Sequence, residues 1–231
     1  VRVRASDGTF FDEQDIAVTI TAVNDNTPVI TSDGGGATAA VSIAENTTAV
    51  TTVTATDADL PAQTLTYSIV GGTDAGFFTL DAATGVLAFA AARDFEAPAD
   101  ANSDNVYEVR VRASDGTFLD EQDIAVAVTP VNDNAPVITS GGGGASASLA
   151  AAENGTTVAT VTATDGDLPA QTLAYTIIGG ADAGFFLLDA GTGVLTFATP
   201  RDFETPADAN ADNVYEVVVR ASDGTLFDDQ V

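Results

Sequence analysis

Val131-Asn132-Asp133-Asn134-Ala135-Pro136 recurs as Val23-Asn24-Asp25-Asn26-Thr27-Pro28. Each copy follows an apolar, β-branched run, Ile124–Thr129 or Ile16–Thr21, and leads into a Pro-Val-Ile-Thr strand start. A short acidic, amide-rich segment therefore joins two β-type elements, and the proline fixes the direction in which the chain leaves it. One carboxylate and two side-chain amides in three residues, on an extended backbone with free carbonyls, are hard oxygen donors of the kind Ca²⁺ takes. A joint of this composition needs a cation to be stiff.

The joint is one mark of a longer repetition. Asp25 recurs as Asp133, Glu45 as Glu153, Asp57 as Asp165 and Arg93 as Arg201, each 108 residues on. A unit of that length is too long for a solenoid repeat and suits a module that folds by itself, burying roughly two thirds of its unfolded surface. Division at the joints gives residues 1–27, 28–135 and 136–231. The first is expected to be the C-terminal strands of a preceding module, because Val1–Gly8 matches Val109–Gly116. The second is expected to be complete. The third is expected to lack its last strand, since it stops at Val231 where the middle module runs on through Ile124–Val128. With no initiator Met and a start inside an apparent strand, the chain reads as an internal fragment.

Composition narrows the chemistry. There are 34 acidic and 7 basic residues, a formal charge of −27, and every base is Arg. That field repels nucleic acid and anionic membrane and attracts divalent cations. A 45% hydrophobic content in regular alternating segments argues for a folded chain. Without Cys there is no disulfide or thiolate site, and without His most zinc sites and the usual general base are gone. No signal peptide and no apolar run long enough to span a membrane is present, so no direct membrane insertion is expected from this segment.

Between the joints, short alternating or β-branched runs are separated by turn signals. In residues 28–135 they are Pro28–Ser32, Ala40–Ile43, Ala49–Thr56, Leu65–Val70, Phe77–Leu80, Val86–Ala90, Val106–Ser114 and Asp123–Val131. Gly71-Gly72, Asp74–Gly76, Asp81–Gly85 and Asp115-Gly116 mark turns, and no stretch reads as a long amphipathic helix. The expected fold is all-β: tandem antiparallel sandwiches of about seven strands with Greek-key connections. The Gly34–Gly36 and Gly141–Gly144 runs read as a loop or bulge inside a first strand. Arg110 and Arg112 share one strand face and are expected to pair with surface carboxylates. The Phe77-Phe78 and Phe185-Phe186 doublets are expected to put one ring into the core.

The acidic residues gather at loops: Glu45-Asn46, Asp57-Ala-Asp59, Arg93-Asp94-Phe95-Glu96, Ala113-Ser-Asp115-Gly116 and Asn132-Asp133-Asn134. In this order the set resembles the motifs of the cadherin repeat, and residues 28–135 match it along their whole length. Tyr67–Val70, Phe78–Asp81 and Thr84–Leu87 are similar to its core and turn positions. The resemblance implies cadherin- or immunoglobulin-like sandwiches joined by calcium-binding linkers, with a cluster of about three Ca²⁺ ions at each joint. Carried over residue by residue, the ligands at the second joint are Glu45, Asp94, Glu96, Asn132, Asp133, Asn134, Asp165, Asp167 and Asp223. At the first joint they are Asn24, Asp25, Asn26, Asp57, Asp59 and Asp115. Carboxylates so crowded repel without counterions, which agrees with the analogy. The sequence departs from the family pattern at Ala22 and Pro130, where a carboxylate would stand, and at Leu60-Pro61 and Leu168-Pro169, where small residues would follow. Near-identical Ala-, Gly- and Thr-rich repeats resemble those of large bacterial surface proteins and adhesins.

A second acidic pattern, Asp100-Ala-Asn102-Ser-Asp104-Asn105 and its copy Asp208–Asn213, reads either as the start of a calcium loop or as an Asx-turned acidic loop. It lacks the sixth-position glycine and twelfth-position Glu of the former. The function implied is a calcium-rigidified spacer or adhesive module of an extracellular, cell-surface protein. Its partners would be the neighbouring repeats, with homophilic or polysaccharide contacts as further candidates. The alternative is a carbohydrate-binding module using loop tips or exposed aromatics. No enzyme activity is expected, because each acidic cluster already has a cation-binding explanation.

Overall fold

A computed structural model describes residues 1–231. The chain divides into two compact units. One comprises Val1–Ile43, Thr47–Ala92 and Asp100–Ala127, the other Ala44–Asn46, Arg93–Ala99 and Val128–Val231.

In the first unit the strands are β1 (Arg2–Ser6), β2 (Phe11–Asp15), β3 (Val29–Ile30), β4 (Thr38–Ala44), β5 (Ala49–Thr52), β6 (Ala55–Thr56), β7 (Thr66–Gly71), β8 (Phe78–Leu80), β9 (Val86–Phe89), β10 (Val106–Ser114) and β11 (Leu119–Thr129), whose last residues enter the other unit. Alternation in β10 buries Tyr107, Val109, Val111 and Ala113 while Glu108 and Arg110 face out. The sheets run β4-β11-β10-β7 and β5-β9-β8, with the pair β3-β6 beside them and β1-β2 as a separate hairpin. Aromatic rings bridge the two main sheets: Phe78 stacks on Phe89 at 4.6 Å, and Tyr107 meets Phe89 and Phe77 edge-on at 5.0 and 5.5 Å. Phe78 is buried and Phe77 half-buried, so neither ring of the doublet is a free platform.

The glycine run splits the first strand. After β3 pairs with β6, a 3-10 turn at Ser32–Gly34, with Asp33 at φ 51°, carries the chain across to β4 in the other sheet. Buried Gln122 donates to the Gly36 carbonyl at 3.0 Å, and Asp120 accepts from the Ile30 N–H at 2.8 Å, which fixes the crossing. Arg110 forks onto Asp123 and Arg112 onto Glu121, as the shared strand face requires.

The second unit repeats the plan with β12 (Val137–Ile138), β13 (Thr157–Thr160), β14 (Ala163–Thr164), β15 (Ala174–Gly179), β16 (Phe186–Leu188), β17 (Val194–Phe197), β18 (Val218–Ser222) and β19 (Phe227–Gln230). Its sheets are β12-β14, β13-β17-β16 and β15-β18-β19. Ile138, Val161, Tyr175, Phe186, Leu195 and Phe197 lead its core. No helix is long and apolar enough to cross a membrane.

The structure corrects several strand expectations. The run Ala49–Thr56 breaks at Val53, whose N–H turns to the Gly85 carbonyl at 2.8 Å. The last strand of the middle module starts at Leu119, because backbone pairing with β10 continues down to Ser114↔Leu119. Residues 136–231 do contain the beginning of a last strand, since β19 pairs with β18 as the start of β11 pairs with β10. Ile16–Thr21, expected as a strand, forms none. Its pairing stops at Ile16, which exchanges backbone hydrogen bonds with Val1 at 2.7 and 2.8 Å as Ile124 faces Val109 in the middle module. Val18 and Ile20 are accordingly exposed.

Candidate metal centre

Glu45 leaves the end of β4 and is 2% exposed, an unusual place for a carboxylate unless its oxygens are used. They are. Oε2 accepts the Phe95 N–H at 2.7 Å and Oε1 the Val131 N–H at 2.7 Å, so one side chain ties the Arg93–Glu96 loop to the linker. Asn46, in the left-handed region at φ 60°, turns its amide to the Asp133 carboxylate. Glu96 accepts the Leu168 N–H at 2.9 Å through Oε1, while its buried Oε2 has no partner. Glu45, Glu96 and Asp133 thus bring ligand oxygens within 4.8 Å of one another.

Asp165, Asp167 and Asp223 form a second such group in the same unit. Asp167, 1% exposed, accepts through Oδ1 from the Asn134 N–H at 3.1 Å and the Asn134 side-chain amide at 2.9 Å. Asp165 caps the Asp167 N–H at 3.1 Å and leaves Oδ2 buried without a donor. Asp223 spends Oδ1 on the N–H groups of Thr225 and Leu226 at 2.6 and 2.7 Å. In each turn one carboxylate oxygen holds the backbone and the other is left over. Asp94 stands outside these groups, exposed, capping the Glu96 N–H at 3.0 Å.

The first unit carries the same arrangement. Asp57, Asp59 and Asp115 converge, and Asp59 holds the linker through the Asp25 and Asn26 N–H groups at 3.2 and 3.0 Å. Asp57 Oδ2, Asp115 Oδ2 and Asn24 Oδ1 are buried without partners.

The electrostatics differ between the groups. Burial, reinforced by the charge of Glu45, pushes the Asp133 carboxyl above its ordinary range. Burial does the same to Glu96, with the charges of Glu45 and Asp167 adding to it. The Asn26 side-chain amide holds Asp59 below its ordinary range. For Asp167 burial acts upward, and the Asn134 amide and backbone N–H outweigh it. Five acceptor oxygens to which nothing donates fit a cation that takes oxygen ligands.

Two features escaped sequence reasoning. Asn46 belongs to a quoted motif, yet only the fold shows that it grips Asp133. Glu153, Asp202 and Glu204 form a further exposed three-carboxylate group, which the 108-residue offset from Glu45, Asp94 and Glu96 would have found. The Asp100–Asn105 loop takes the Asx-turn form. Asp100 accepts the Asp104 and Asn105 N–H groups at 2.8 and 3.2 Å, and Asp104 the Val106 N–H at 2.8 Å, so backbone donors use its carboxylates.

A family model described as Cadherin domain matches residues 39–132 and 146–230. The chain is 30% identical over 194 residues to Protocadherin Fat 4 of Mus musculus, covering 82% of this chain and 4% of that protein. It is 32% identical over 216 residues to Cadherin-23 of Rattus norvegicus, covering 90% of this chain and 6% of that protein. It therefore spans a small fraction of these relatives. Among solved structures, extracellular cadherin domains 3-6 of Protocadherin Gamma B2 superpose with a TM-score of 0.61 at 25% identity, over 95% of this chain and 53% of that one. The two relatives are animal proteins and lend no support to the expected likeness to bacterial adhesins.

Proposed function

This chain belongs to the cadherin family, and from that premise we propose that it is a calcium-binding repeat segment of an extracellular protein, serving as a calcium-rigidified spacer or adhesive stalk. Residues 28–135 and 136–231 are its modules, and residues 1–27 end a preceding one. At the second joint Glu45, Asp94, Glu96, Asn132, Asp133, Asn134, Asp165, Asp167 and Asp223 would hold the ions. Asn24, Asp25, Asn26, Asp57, Asp59 and Asp115 would do so at the first. When bound, Ca²⁺ supplies positive charge and six to eight oxygen-coordination positions.

The residues divide the labour. Glu45 and Asp167 fix the linker backbone from opposite ends of the sequence motif set, Glu45 at Val131 and Asp167 at Asn134. Their remaining oxygens, with Glu96 and Asp133, collect negative charge that only a cation offsets. The observation that carries this reading is the set of buried, partnerless oxygens on Asn24, Asp57, Asp115, Glu96 and Asp165, all within expected ligands. Because ions bind only the assembled joint, Ca²⁺ raises the thermal midpoint with the logarithm of its excess over Kd. Calorimetric titration tests it: saturable Ca²⁺ uptake with a matching rise in midpoint supports the reading, and no uptake at millimolar Ca²⁺ overturns it.

A further inference from the structure

One side of the second unit is zipped only part of the way. The Ala147 N–H donates to the Val231 carbonyl at 2.7 Å, and the Val231 N–H to the Ala145 carbonyl at 3.0 Å. Past that point residues 148–152 and 214–217 form no strand. Both stretches line a cavity of about 540 Å³, together with Val158, Leu195, Phe197 and Val219. In the first unit the equivalent place is filled. Strand β11 runs between β4 and β10, and its Ile124, Val126 and Val128 are buried. Tyr107 is fully buried there, whereas its copy Tyr215 is only half-buried. The chain also carries a strand pattern without a place. Residues 16–21, Ile-Ala-Val-Thr-Ile-Thr, match residues 124–129, Ile-Ala-Val-Ala-Val-Thr. Yet Val18 is 77% and Ile20 91% exposed.

We propose that residues 17–23 of a second copy enter this slot as a donated strand, antiparallel to residues 214–217. The register of the middle module, carried over by 108 residues, sets Val18 opposite Tyr215 and Thr19 opposite Val214. There Val126 stands opposite Tyr107 and Ala127 opposite Val106. Val18 and Ile20 then share the face that meets the apolar floor. Residues 16–23 carry no charge, so their entry adds no like-charge repulsion to a slot lined by Glu153, Asp202 and Glu216. At the far end the Val23 N–H reaches Glu153, as the Val131 N–H reaches Glu45 Oε1 at 2.7 Å. Glu153 Oε2 already accepts the Phe203 N–H at 3.1 Å, as Glu45 Oε2 accepts that of Phe95. Main-chain hydrogen bonds supply the affinity, and the alternating apolar side chains fix the register. Donor and acceptor surfaces differ, so the contact is heterologous and repeats into rings or open chains. No cation enters it. A segment following Val231 in a longer chain competes for the same slot.

The test is sedimentation velocity of the chain in EDTA over a range of concentrations. Wild type is expected to form oligomers that grow with concentration. Val18→Asp combined with Ile20→Asp is expected to remain a monomer throughout. Because both positions are exposed in the single copy, its circular dichroism at high dilution stays that of wild type. Appending a second copy of residues 124–135 after Val231 fills the slot from the same chain, and is expected to give monomers with a raised thermal midpoint. The chain has no Cys, so introduced thiols report the register. Opposite residues of an antiparallel pair lie about 4.5–5.5 Å apart at Cα, within disulfide reach. Thr19→Cys and Val214→Cys chains, mixed and oxidised, are expected to cross-link, and Thr9→Cys with Val214→Cys is not. A wild-type monomer at every concentration, oligomers that survive the Asp substitutions, or equal cross-linking from Thr9→Cys would each overturn the proposal.

Discussion

Asp133 concentrates the electrostatics of the second joint in one side chain: burial and the Glu45 charge raise its carboxyl, while the amides of Asn134 and Asn46 hold its two oxygens. A carboxyl raised in the fold is favourable only while protonated. Its contribution is fully present below the ordinary value of 3.8 and is lost as pH rises through the raised folded value. Asp133→Asn is therefore expected to raise the thermal midpoint in EDTA at pH 7, with the gain disappearing as the pH falls below about 4. In saturating Ca²⁺ the sign reverses and the variant is less stable than wild type. A midpoint shift of one sign in both conditions would contradict this account of the joint. Asp133→Ala should cost at least about tenfold in Ca²⁺ affinity with each sandwich still folded, as seen by circular dichroism. Asp104→Ala should cost much less, because backbone N–H groups and Asn102 already occupy that carboxylate. Equal losses from the two substitutions would reverse the ranking of the two acidic loops.

At the scale of elements, the tight turn before β9 is held by Gly85. At φ +73° a Cβ there would lie 2.0 Å from the Val53 carbonyl oxygen, and Gly193 repeats the clash at 2.1 Å from Val161. Gly85→Ala is expected to destabilise by more than about 1 kcal/mol in denaturant titration. Gly34→Ala, at φ +92° in open space, should cost less. Removing the fully buried Leu87 to Ala should cost about 2–5 kcal/mol. Strand β10 was legible to the residue, because V-Y-E-V-R-V-R-A-S alternates without interruption. The start of β11 was not. Leu119-Asp-Glu-Gln122 looks like a charged loop, and it becomes strand through ladder bonds to β10 and the Arg112–Glu121 pair. Ile16–Thr21 failed for the opposite reason, since its pattern is that of a strand while only Ile16 bonds across, to Val1. In the candidate site, carboxylates were legible because acids recurring in five ordered motifs stand out. Gln171 was not, because a glutamine in Leu-Pro-Ala-Gln-Thr carries no pattern until folding sets it against Asn132 of the linker.

Over the whole molecule, a net charge of −27 with five acidic linker and loop motifs recurring every 108 residues makes the state of the joints depend on the ionic medium. Near-identical modules with no Cys have no disulfide to fix one to the next. The proposed ligands are drawn from three separated stretches of sequence, Glu45, Glu96 and Asp133, together with Asp165, Asp167 and Asp223 beyond them. Ions held by such a set constrain every stretch that contributes to it. Monovalent salt screens the repulsion without this constraint, so raised NaCl should not substitute for Ca²⁺. The most direct measurement is small-angle scattering of the chain in excess EDTA and in millimolar Ca²⁺ at constant ionic strength. The account predicts that Ca²⁺ lengthens the maximum dimension and narrows the distribution of interatomic distances; profiles that superimpose in the two conditions would contradict it.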